Sequence, residues 1–190
     1  MPNWCENRLS IAGPKEDISN IFEKIKNQDP DGKNQTYQIF ENLYPTPPEL
    51  NIGDAPVGSA NWTEQQKSNL KKFGYTDWYD WRNDKWGTKW GDCETHLAQD
   101  IFTNSDGIST VAFYFDSAWA PPIEGFHKIA SDYPNLLFCL YYQETGMGFC
   151  GRNVWANGEC VEEDSADLIT DYFDEDYLYN EYITKGENNE

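Results

Sequence analysis

The chain has 190 residues, 38% of them hydrophobic and 16% aromatic, enough for one folded domain and too apolar for a disordered segment. Its formal net charge of −19 argues against direct binding of nucleic acid or an anionic membrane and favours a basic protein partner. The start MPNWCENRLSI lacks a basic n-region and a long apolar core, and no run approaches the ~18 apolar residues of a membrane span, so a cytoplasmic protein is expected.

Residues 4–11 (WCENRLSI) read as a strand that enters a Gly13-Pro14 turn. Ile18, Ile21, Phe22 and Ile25 recur at helical spacing, which predicts an amphipathic helix over about 14–27. QDPDGKNQ (28–35) is turn chemistry, and Pro45, Pro47, Pro48 and Pro56 exclude regular structure over much of 37–60. Asn61 reads as the cap of a short helix that Gly74 stops, and Thr76 as the cap of a second one ending at Gly87. The segment 37–92 is therefore an insertion, helical toward its end.

Beyond it the period shortens to two. Residues 93–102 and 108–116 alternate around Asn104-Ser105-Asp106-Gly107, a hairpin signal, with Val111, Phe113 and Phe115 on one face. A short helix with Ile123, Phe126, His127 and Ile129 at core spacing follows Pro121 and Pro122. LLFCLYYQE (136–144) and FCGRNVWA (149–156) form a second hairpin across Gly146–Gly148. Without the insertion and the last strand the order is βαββαβ, a ferredoxin-like α+β arrangement with an antiparallel sheet. Residues 1–158 are assigned to this domain, and 159–190 to an acidic aromatic tail. That tail holds twelve acids and one base, and Leu168, Tyr172, Tyr179 and Ile183 line up if it is helical.

Three blocks of this text, MPNWCENRLSIAGP (1–14), DWYDWRNDKWGTKWG (77–91) and FDSAWAPPIEGFHKIASDYP (115–134), resemble the YubB-type ferredoxin-like family of phage and plasmid accessory proteins, which includes phage proteins of the Api type. The resemblance covers most of residues 1–156 and implies a ferredoxin-like domain and a mobile-element origin. It implies no activity and no catalytic residues.

Chemistry-bearing constellations are few. The five cysteines include no CxxC pair, and His96 and His127 are the only histidines, so neither a metal nor a cofactor is expected. GMGFCG (146–151) links two strands and does not open a helix, unlike a phosphate loop. Four tryptophans in thirteen residues (Trp78, Trp81, Trp86, Trp90) either clamp the insertion onto the sheet or line a groove. The second reading places a binding surface at Trp86, Lys89, Trp90 and Trp119, where the GTKWG (87–91) and SAWAPP (117–122) loops would meet. The tail offers Asp171, Asp174, Glu175 and Asp176, whose carboxylates at helical intervals would imitate DNA phosphates. The expectation is a non-enzymatic accessory protein that binds a host or element protein, in its most concrete form an inhibitor of a host nuclease or CRISPR complex. The alternative is a ligand-binding protein or enzyme using a tryptophan-lined pocket between the two loops.

Overall fold

The computed structural model of the chain describes residues 3–53 and 59–167. Its main sheet has six strands: β1 (Trp4–Pro14), β4 (Cys93–Thr103), β5 (Ile108–Ala118), β6 (Leu137–Glu144), β7 (Phe149–Ala156) and β8 (Glu159–Asp167). They lie in the order β4-β5-β1-β6-β7-β8, every pair antiparallel. The run β4-β5-β1-β6 is the order that two split βαβ units produce, and the chain has the ferredoxin-like α+β fold expected of its pattern. The two crossing helices are α1 (Lys15–Ile25) and α5 (Ile123–Asp132).

Alternation along the strands decides what the helices cover. Leu9 and Ile11 of β1, Val111, Phe113 and Phe115 of β5, and Phe138 and Leu140 of β6 point to one face, where they share a core with Ile18, Ile21, Phe22 and Ile25 of α1 and Phe126 and Ile129 of α5. Full burial of each such side chain is worth ~1.5–3 kcal/mol, so an acid at Ile18 or Ile21 would undo the docking of α1. The other face carries a separate, smaller apolar cluster of Cys139, Tyr141 and Val154, with Leu137 against it.

The insertion is built into this core rather than appended to it. A short hairpin, β2 (Lys26–Gln28) with β3 (Gln35–Tyr37), occupies the stretch read as a turn. The one-turn helix α2 (Phe40–Leu43) follows, then α3 (Glu64–Phe73) and α4 (Trp78–Lys85). Ile39, Phe40, Leu50, Trp81 and Trp86 all belong to the main core. The helix caps differ from expectation by one or two residues. Thr63, not Asn61, caps α3, because Gln66 stands three residues on and completes a capping box. Asp77, not Thr76, caps α4, its side chain accepting from Tyr79 N at 2.9 Å. Gly74 ends α3 at φ 82°, a left-handed position that suits glycine.

The boundary expected at residue 159 is displaced. Glu159–Asp167 pairs along β7 as the sheet's last strand, so the start of the acidic stretch is part of the domain. Acids on an edge strand are solvated and repel like edges, which makes that placement inexpensive. Asp171, Asp174, Glu175 and Asp176, and the helix expected to carry them, lie outside the described residues.

Candidate functional site

The tryptophan block separates into a buried half and a surface half. On α4, Trp81 turns inward and packs on Tyr44 and Trp86, with ring centroids 5.3 and 5.9 Å away. Trp86 follows the last residue of the helix and is 2% exposed. Its indole N–H donates to the Tyr44 carbonyl at 3.0 Å, and its ring lies 5.2 Å from Phe40. Phe40 contacts Phe126 of α5, which contacts Trp155 of β7. Trp155 in turn donates to His127 Nδ1 at 2.9 Å, so this histidine serves the core as a hydrogen-bond acceptor. The aromatic chain pins the insertion to α5 and the sheet. Trp86, expected to line a binding groove, is thereby corrected to a core residue: its ring is already occupied by Phe40, Trp81 and Arg82.

One partly buried acid holds this junction in place. Asp92 accepts from the backbone N–H groups of Ile39 and Phe40 at 2.7 and 3.0 Å and from Thr95 Oγ1 at 2.9 Å, capping α2. Burial pushes its carboxyl up to about 6, and the three hydrogen bonds oppose that rise. Sequence reading missed Asp92, since a cap supplied from 52 residues away leaves no local signal. Arg82 is the neighbouring cation. Its guanidinium stacks 5.2 Å from the Trp78 ring and 4.5 Å from Trp86, with Nε donating to Thr46 Oγ1 and Nη2 to Glu41.

Trp90 and Trp119 form the surface half, together with Trp4, which the sequence had not marked. The two loops do meet, through their backbones: Ala118 N–H donates to the Trp90 carbonyl at 3.3 Å, and Thr88 Oγ1 donates to the Ala118 carbonyl at 2.7 Å. The N-terminal strand closes the corner, with Trp119 N–H donating to the Asn3 carbonyl at 3.0 Å. The ring that stacks on Trp90 is Trp4, at 5.9 Å and an interplanar angle of 29°, and Lys89 Nζ sits 4.3 Å from the Trp90 centroid. Trp4 is 40% exposed and Trp119 48% exposed. Trp119 also has φ 72°, a left-handed conformation that a bulky residue adopts at a cost of ~1–3 kcal/mol. On the far side of Trp90 a shallow groove of about 450 Å³ is lined by Asn51, Ile52, Gly53, Trp78, Arg82 and Trp90.

Among the described residues, no cluster of three or more His, Cys, Asp or Glu is placed to hold a metal ion. All five cysteines are free, and burial pushes the Cys5 and Cys139 thiols up to about 12, far from the reactive thiolate. No described helix is long and apolar enough to cross a membrane.

The strands from β4 onward coincide with a known family. A family profile described as the ferredoxin-like domain in Api92-like protein matches residues 85–181. The chain belongs to that family. The matched stretch begins at the last residue of α4 and leaves out β1, although β1 lies between β5 and β6 in the same sheet. Among solved structures, the chain is similar to a protein api92 from Yersinia pseudotuberculosis, at 14% identity over 91% of this chain and 100% of that one, with a TM-score of 0.48. No curated protein matches the chain. The family description states a fold and no reaction, so the functional reading rests on the chain's own surface.

Proposed function

We propose that the chain is a non-enzymatic accessory protein that docks a partner protein on the corner formed by Trp4, Lys89, Trp90 and Trp119. The observation that carries this reading is the exposure of Trp4 and Trp119, 40% and 48%, beside a stacked Trp90 in a frame tied by backbone hydrogen bonds. Large rigid indoles held half out of the surface supply anchoring area at little entropic cost, which is why tryptophan is enriched where interfaces bind most strongly. The charge of −19 supports a partner with a basic surface, whose approach it would speed. Resemblance to phage and plasmid proteins supports the narrower version, in which the partner is a host nuclease or CRISPR complex and Asp171, Asp174, Glu175 and Asp176 contribute a DNA-like field.

The test is affinity capture from a bacterial host with the wild-type chain and with Trp119→Gly and Trp4→Ala variants, at low and high salt. A defence or DNA-processing protein retained by the wild type and lost by both variants is the expected result. Capture that is identical across all three chains would overturn the docking surface. A second reading, a small ligand in the groove beside Trp78 and Trp90, is favoured by the position of Arg82 between two rings. Quenching of indole fluorescence by a metabolite, abolished in Trp78→Ala, would select it.

A further inference from the structure

Opposite the helices the sheet presents a face whose apolar cluster contains strand residues only, and its charges fall into two zones. Toward β8 they satisfy one another: Arg152 pairs with Glu162 and lies 5.9 Å from the Tyr141 centroid. Toward β4 they do not. Glu6 of β1 stands directly opposite Asp116 of β5, and Glu94, where the β4–β5 ladder is irregular between Cys93 and His96, adds a third carboxylate near Asp116. Like charges opposite each other on a sheet are unfavourable. Burial, reinforced by Glu6 and Glu94, pushes the Asp116 carboxyl above its usual range. Glu6 accepts from Gln143 Nε2 at 2.5 Å, a neutral partner, and no cation among the described residues forms an ion pair with any of the three acids. Together they line a hollow of about 410 Å³, with the Tyr114 and His96 rings, 5.5 Å apart, as further walls. Arg8 borders the same hollow and faces the Tyr114 ring at 5.8 Å.

We propose that this hollow receives an arginine side chain of the partner protein, so that the docking surface runs from the tryptophan corner onto the open sheet face. The assignment rests on the docking reading above and states what the partner must carry. Charge selects the occupant, since three carboxylates outweigh Arg8 along the lining. A guanidinium presents five donors in one plane, so it can bridge carboxylates on two sides while its flat face lies on a ring; an ammonium cannot. Position supplies the second argument. Trp4 lies two residues from Glu6 on the same face of β1, about 6.7 Å along the strand. The hollow is therefore continuous with the stacked Trp4–Trp90 pair. A partner segment with an arginine beside an apolar residue would fill the hollow and cover the exposed Trp4 ring at once. Size agrees: the hollow is at the small end of the ~300–1,000 Å³ range of binding pockets, which suits one long side chain.

The test titrates the full-length chain with N-acetyl-arginine amide and follows the Trp4 indole and His96 ring signals by NMR. Saturable shifts of both are expected. N-acetyl-citrulline amide keeps the shape of the probe and loses its charge, so it is expected to bind about tenfold more weakly, the equivalent of one charge-assisted hydrogen bond. Asp116→Asn should weaken the arginine probe by a similar factor, and Glu6→Gln, at an exposed position, gives the same reading if Asp116→Asn fails to fold. Glu16→Gln makes an equal change of net charge on the exposed first turn of α1 and should leave the affinity at the wild-type value. Equal binding of the citrulline probe, or equal weakening by Glu16→Gln, would overturn the proposal in favour of general attraction to an acidic chain. The probe needs no partner, so the two readings fail separately. Capture that depends on Trp4 and Trp119 while the probe does not bind removes the arginine hollow alone. Saturable probe binding with capture indifferent to both tryptophans removes the corner and leaves the hollow.

Discussion

Asp92 shows how a single carboxylate can bind an insertion to a domain and leave a titration signature. Its folded-state value of about 6 lies above the ordinary 3.8, so between those values the folded chain holds a proton that the unfolded chain has released. Stability linked to this group is therefore fully present below pH 3.8 and is lost as the pH rises through 6. An asparagine in its place would not titrate. From pH 5 to 7.5 the wild type is expected to lose about 1 kcal/mol relative to Asp92→Asn, measured by urea denaturation of both chains. That range stays above the isoelectric point near 4.3, where the chain is least soluble. A stability difference that is flat over this range would show that Asp92 is ionised throughout. The tryptophans make the complementary point. Their number was readable, and so was the meeting of the GTKWG and SAWAPP loops, but which rings face outward was not. Trp81 and Trp86 are drawn in by Tyr44 and Phe40, residues from the proline-rich stretch that carries no periodic signal.

At the scale of elements, α5 is set by a glycine where a helix would ordinarily prefer alanine. Gly125 lies in the first turn of α5, and a Cβ there would overlap the Phe40 ring. Gly91 makes the same concession on the ring's other flank, where a Cβ would sit 2.8 Å from Phe40. Alanine at 125 gains ~1 kcal/mol of helix propensity but must displace a fully buried ring. Overpacking of this kind costs ~1–3 kcal/mol, so Gly125→Ala is expected to be net destabilising by about 1 kcal/mol in chemical denaturation. Shortening the obstructing side chain, in Gly125→Ala/Phe40→Leu, should remove part of the penalty. If the single substitution is stabilising, Phe40 does not press on α5. Strong periodicity made α1, β5 and the β6–β7 hairpin legible in advance. The β2–β3 hairpin and α2 were not, being three or four residues long and fixed by tertiary partners such as Asp92. The strand β8 was hidden for another reason: five acids in nine residues mask a short alternation that the ladder to β7 imposes.

Charge organises the whole molecule. The chain carries −19, and from Glu159 onward it holds twelve acids against one base. Several acids also converge on the described sheet: Glu6 and Glu94 stand close enough to Asp116 to reinforce the rise in its carboxyl pKa that burial begins. Self-repulsion of this order opposes compaction and relaxes as counter-ions screen it, over a Debye length of ~30 Å at 0.01 M but ~8 Å at 0.15 M. Attractive ion pairs such as Arg82–Glu41 and Lys72–Glu49 weaken with the same salt, but exposed pairs are individually worth only ~0–1 kcal/mol and they are outnumbered. Thermal stability at pH 7 is therefore expected to rise by several degrees between ~0.01 M and ~0.15 M sodium chloride. Binding of a basic partner should weaken over the same range, because the field that strains the fold is the one that recruits the partner. A melting temperature that falls with salt would mean that attractive pairs dominate the net field, and the electrostatic half of the proposed docking would then lose its basis.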